Sequence, residues 1–149
     1  MSYLRATGAD TPRISFDGPD ADYRAGDYRP GACNIGRAEI RSRWRFGHLM
    51  LLVAIALYAV LVLAHTPALI RFVVAAPAAV GAACYLEAAL KFCVRFGMRG
   101  LFNFGALGAE AKVVDSQARA RDRRRAAQLS AASLVVALLI GTVAVFLPF

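Results

Sequence analysis

The sequence predicts an all-α integral membrane protein. Its expected parts are three transmembrane helices, a disordered N-terminal arm and an interfacial cytoplasmic segment. Three observations predict this. The 149 residues are 58% hydrophobic yet carry a formal net charge of +8. The apolar residues stand in long unbroken blocks, not in the periodic patterns of a soluble domain of this length. And the basic residues gather in some of the stretches between blocks and avoid another.

Residues 1–32 are rich in Gly, Pro and Asp without an apolar period, so they read as a disordered cytoplasmic arm. Residues 1–30 hold four arginines against five aspartates, so the positive charge belongs to the apolar remainder. Within the arm "DYRAG" is followed at once by "DYRPG", a duplication that offers Tyr23 and Tyr28 as a docking motif or is low-complexity drift. Residues 33–149 form the membrane domain.

The first helix is expected over about 37–64. A polar start, "RAEIRSRWRFGH", runs into "LMLLVAIALYAVLVLA", where Trp44 and Phe46 stand at the interface. No cleavable signal precedes this block, which reads as an uncleaved anchor. "HTPAL" then turns the chain, with Pro67 suited to the first turn of the next helix.

The second helix is expected over 68–92, with Pro77 as an internal kink and Ala75, Ala79 and Ala83 as a small-residue face for close helix contact. Residues 93–108 hold four glycines among phenylalanines, too broken for a span and too apolar for a free loop; they read as lying on the membrane surface. The third helix is expected over 110–147, with Ser133, Ala137 and Gly141 as a second small-residue face.

Orientation follows from the bases. Arg37, Arg41, Arg43 and Arg45 precede the first helix, and Lys91, Arg95, Arg99, Lys112, Arg119, Arg121, Arg123, Arg124 and Arg125 lie between the second and third. The turn between the first two has only Arg71. The positive-inside rule then puts the N-terminus in the cytoplasm and the C-terminus outside. Arginine outnumbers lysine 16 to 2 in an alanine-rich chain, which suggests a GC-rich bacterium and hence a bacterial inner (cytoplasmic) membrane.

The candidate sites are few. Depth matching about the turn puts Glu87 level with Arg45, and Glu87 and Lys91 are one helical turn apart, so an Arg45–Glu87–Lys91 ion pair is expected to pin the first two helices. Cys33 precedes a helix N-terminus, a setting that lowers a thiol pKa, and Cys93 lies beyond the second helix; the two are a candidate redox pair. Cys84 and Cys93 are nine residues apart and would face opposite sides of one helix. Cys84 with His48 makes two ligands, short of a metal site, and His48 and His65 stand at opposite ends of one helix, so no cofactor or metal is expected. Arg119, Arg121, Arg123, Arg124 and Arg125 fit anionic lipid headgroups better than nucleic acid.

Function is accordingly expected to be that of a small accessory or scaffolding subunit, docking on itself or another membrane protein. The alternatives are a thiol sensor using Cys33 and Cys93, and a proton-coupled transporter component using Glu87 with Arg71.

Overall fold

A computed structural model describes residues 27–147. Tyr23, and with it the first copy of the repeat, lies outside them, as do residues 1–26 of the expected arm. The chain is mostly helical. Helix α1 spans Arg37–Leu63, a 3-10 segment spans Ala68–Val74, and α2 spans Ala75–Ala89. A short α3 (Val94–Arg99) leads to strands β1 (Leu101–Phe102) and β2 (Ala111–Lys112), and α4 spans Ser116–Phe146. Among the described residues three helical stretches are long and apolar enough to cross a membrane: Arg37–Leu63, Ala68–Ala89 and Ser116–Phe146.

The expected helices are present with altered ends. Helix α1 stops at Leu63, where His65 takes a positive φ and Pro67 opens the next segment. The second stretch begins as a 3-10 segment and passes Pro77 in the first turn of α2, where a missing N–H costs no helical bond. It ends at Ala89 and not at residue 92, because Leu90 and Lys91 leave helical geometry and Lys91 takes a φ of +54°. The third helix starts at Ser116 and not at Glu110. Asp115 caps it, its carboxylate accepting from the N–H groups of Gln117 (3.0 Å) and Ala118 (3.1 Å).

The glycine-rich segment is folded, not merely laid on a surface. After α3, Gly100 adopts a left-handed φ of +67° and turns the chain into β1, which pairs antiparallel with β2 in the register Leu101↔Lys112, Phe102↔Ala111. The all-α expectation therefore needs a small correction: a two-stranded sheet sits between α3 and α4. Residues 27–32 likewise depart from the expected disorder. Arg29 and Cys33 form an antiparallel bridge closing a turn at Gly31, and Ile35 bridges in parallel to Asn103.

Packing divides the molecule into two ends. At the turn end, α1, α2 and α4 meet through small side chains. Ser133, Ala137 and Gly141 are buried on α4, as the small-residue face predicted. A Cβ on Gly141 would stand 2.8 Å from the Phe72 ring and 2.9 Å from Ala75 Cβ, so only glycine permits this approach. On α2 the buried side is Ala78, Gly81, Cys84 and Ala88; Ala75, Ala79 and Ala83 are half-buried beside it. At the other, basic end, Ile35, Cys93 and Phe96 form one apolar cluster, and Phe92, Ala126 and Leu129 form a second.

Candidate functional site

The basic end holds a knot of buried polar side chains. Its first strand is residues 34–36, which run alongside residues 91–93 and 103. Asn34 is fully buried, and its amide reads the main chain of Cys93 from both sides. The Cys93 N–H donates to Asn34 Oδ1 at 2.6 Å, and Asn34 Nδ2 donates to the Cys93 carbonyl at 3.1 Å. The main chain of Asn34 completes the stitch, donating to the Lys91 carbonyl and accepting from Asn103 N–H. Gly36 N–H donates to the Asn103 carbonyl at 2.7 Å. A Cβ on Gly36 would stand 2.9 Å from Phe104 Cα, backbone against backbone, so this crossing needs glycine.

Asn103 ties the next layer. Its Nδ2 donates to the Ala106 carbonyl at 2.9 Å and to Glu39 Oε1 at 3.3 Å, and its Oδ1 accepts from Gly105 N–H. Glu39 and Glu87, both buried, flank one cation. Arg43 Nη1 lies 2.7 Å from Glu87 Oε2, and its Nη2 lies 3.6 Å from Glu39 Oε2 and 3.1 Å from Cys93 Sγ. The other oxygen of Glu87 accepts from Val94 N–H at 2.8 Å, fixing the start of α3.

Glu87 is thus paired, but not as the sequence suggested. Depth matching was close; the face was not. Glu39, Gly47 and Ala54 mark the buried side of α1, and Arg43 lies on that line at four-residue spacing. Arg45 is two residues on, about 200° around the helix, and is exposed. Lys91 has left the helix and is exposed as well. A Cβ on Gly47 would stand 3.2 Å from the Tyr85 ring, so this glycine, four residues after Arg43, was the one sequence signal that could have marked the face.

A second node joins the arm to α4. Asp122 is fully buried; Tyr28 Oη donates to its Oδ2 and Gly31 N–H to its Oδ1, both at 2.6 Å. Burial, reinforced by the bond to Asp122 and its negative charge, pushes the Tyr28 phenol well above its ordinary value. This node was missed in the sequence because Asp122 reads as one acid inside an arginine run.

The thiols do not lie in the electropositive, exposed settings expected of them. Cys33 is half-buried and Cys93 fully buried, and both are free. Burial raises the Cys33 thiol despite nearby Lys91 and Arg29. It raises Cys93 too, with Glu87 adding to the effect and Arg43 opposing it. The lowered value expected for Cys33 is therefore corrected: desolvation outweighs the helix terminus.

The arginines of the third helix divide. Arg119, Arg121, Arg123 and Arg124 are exposed, Arg119 also lying over Gly100 and donating to the Val113 carbonyl at 3.5 Å, and Arg125 is half-buried. Arg95 and Glu110 form a surface pair at 3.7 Å. Among the described residues no three His, Cys, Asp or Glu side chains gather in a metal-holding group. Compared with known proteins, the chain matches no family model, no curated protein and no solved structure.

Proposed function

We propose that this chain is a small accessory or scaffolding protein of a bacterial cytoplasmic membrane. In this reading its N-terminus and basic end lie in the cytoplasm, and its C-terminus lies outside. It docks through the apolar faces of its helices on a second copy or on another membrane protein, and its basic end meets anionic headgroups. Nucleic acid is not the partner of the arginine cluster.

One observation carries the reading: the buried carboxylates and amides of the basic end are tied up in structural bonds, while broad apolar faces point outward. Asn34, Asn103, Glu39, Glu87 and Asp122 each hold chain segments together. Leu52, Val60 and Leu63 on α1 and Leu134, Leu139 and Val143 on α4 are exposed, more than a lone soluble domain carries. The thiol-sensor alternative loses support from the raised pKa values and the burial of Cys93. The proton-transfer alternative centres on a Glu87 held at 2.7 Å by Arg43.

Size measurement in mild detergent tests the docking. The chain should run as an assembly heavier than one copy, and Leu52→Trp with Leu139→Trp should dissolve it. A single copy under every mild condition, with no cross-linked product in intact cells, would sink the reading. An impermeant maleimide should label a cysteine appended after Phe149 in intact cells, and one placed at Ser2 only after permeabilisation.

A further inference from the structure

The turn end contains a feature besides its exposed helix faces. A groove of about 350 Å³ runs between α1, α2 and α4, with Leu51, Ile55, Ala78, Ala82, Ile140 and Val143 among its walls. That volume is near the lower end for ligand sites, roughly 300 Å³. Tyr58 also lines it, and its buried hydroxyl has no hydrogen-bond partner among the described residues.

Arg71 lies beside residues at one end of this groove. It lies on the 3-10 segment one turn before Val74, and it donates to the Leu147 carbonyl at 3.4 Å; Val74 and Leu147 are both groove residues. Only 8% of Arg71 is exposed. Its Nε has no partner, and the single bond from Nη1 is long. Among the described residues no carboxylate forms an ion pair with it. A buried guanidinium without a counter-charge is costly, and an arginine fork matches a phosphate.

We propose that this end of the bundle is a binding site for an anionic phospholipid. One acyl chain occupies the groove, the phosphate accepts from Arg71, and the ester carbonyl accepts from Tyr58 Oη. Arg71 follows the turn at Pro67 by four residues, which is headgroup depth for a chain that crosses the bilayer. The site therefore rests on the membrane reading and is distinct from the exposed arginines at the opposite end. It binds a single lipid molecule, in contrast to a diffuse surface attraction.

Native mass spectrometry of the full chain, released from mild detergent, tests this with phosphatidylglycerol and phosphatidylcholine of identical acyl chains. Phosphatidylglycerol should bind at one site about tenfold more tightly, because the choline cation of phosphatidylcholine offsets the charge of its phosphate beside Arg71. Arg71→Gln should erase that preference, and Arg71→Lys should keep most of it. Ala82→Phe, which fills the groove, should weaken both lipids. Arg123→Gln with Arg124→Gln should leave the tight site unchanged, and glycerol phosphate should not compete. Equal affinity for the two lipids overturns the proposal, as does a preference that survives Arg71→Gln and vanishes in the Arg123/Arg124 variant. Flotation of the same preparation with vesicles scores membrane insertion separately, so failure of the lipid site is distinguishable from failure of the membrane reading.

Discussion

The two ends of the bundle are held together by opposite means. At the turn end, contact is close because side chains are small: Gly141 lies against Phe72 and Ala75, and Gly81 faces Met50. At the basic end, contact is specified by polar groups reaching across segments distant in sequence: Asn34 to Cys93, Arg43 to Glu87, Tyr28 to Asp122. At the turn end a slip in register is opposed by sterics, since it carries a side chain into the gap that only Gly141 fits. At the basic end a slip of one residue leaves buried donors and acceptors unpaired.

The largest predicted effect breaks the basic end at Arg43, the cation between the buried Glu39 and Glu87. Arg43→Met leaves Glu39 and Glu87 facing each other without a counter-charge and should cost about 3–5 kcal/mol. Arg45→Met, two residues away and exposed, should change stability by less than about 0.5 kcal/mol. Circular dichroism during denaturant unfolding in detergent measures both. Similar losses in the two variants would show that Glu87 pairs as depth alone suggested.

Next is Asn34→Ala, which strands the Cys93 N–H in a buried site and leaves its carbonyl only the Gly97 N–H; a loss of about 2–3 kcal/mol is expected. Its counterpart at the spanning end is Ser133→Ala. The Ser133 hydroxyl bonds only to Leu129 O in its own helix, at 2.9 Å, so the change should stay under about 1 kcal/mol. If Ser133→Ala matched Asn34→Ala, the division between the two ends would fail. Gly141→Ala sharpens the steric half of the comparison. Forcing a methyl into a 2.8 Å gap should cost about 1–3 kcal/mol, reported by the melting temperature.

The smallest effect is in pH. Burial raises the folded-state pKa of Cys93 above its ordinary 9.0. Below that pH the folded and unfolded chains both hold the proton, and the protonated thiol's contribution is fully present. As pH rises past it, the unfolded chain ionises first, and stability falls toward the raised folded value. Cys93→Ala should flatten this alkaline decline, whatever its effect at neutral pH. Alkylation of Cys93 at pH 7 should proceed at the rate of global or local opening, slower than that of Cys33. Fast labelling at neutral pH would revive the thiol reading.

The apolar end was largely legible in the sequence. Uninterrupted runs such as "LMLLVAIALYAVLVLA" permit little except a long helix, and Pro67 marks where one ends and another starts. The four-residue spacing of Ser133, Ala137 and Gly141 identified a face that is indeed buried. The basic end was legible only in part. Glu87 was recognisable as an acid needing a base, but composition does not say which side of α1 faces it. Asn34, Asn103 and Asp122 carried no signal, because a lone polar residue in a glycine-rich or arginine-rich stretch reads as a surface position. Their burial depends on pairing across more than fifty residues of chain, which no local pattern encodes.

Tyr28 and Asp122 are 94 residues apart, and Gly31 and Asp122 are 91 apart. The arm is synthesised before α1, yet its anchor belongs to the first turns of α4. Throughout the synthesis of α1, α2 and the connection, Tyr28 and Gly31 lack Asp122, although Tyr28 can already stack on Phe102. Closing so long a loop is also slow, because its entropy is lost before any contact forms. The arm therefore locks last, and its docking marks a chain whose final helix has arrived.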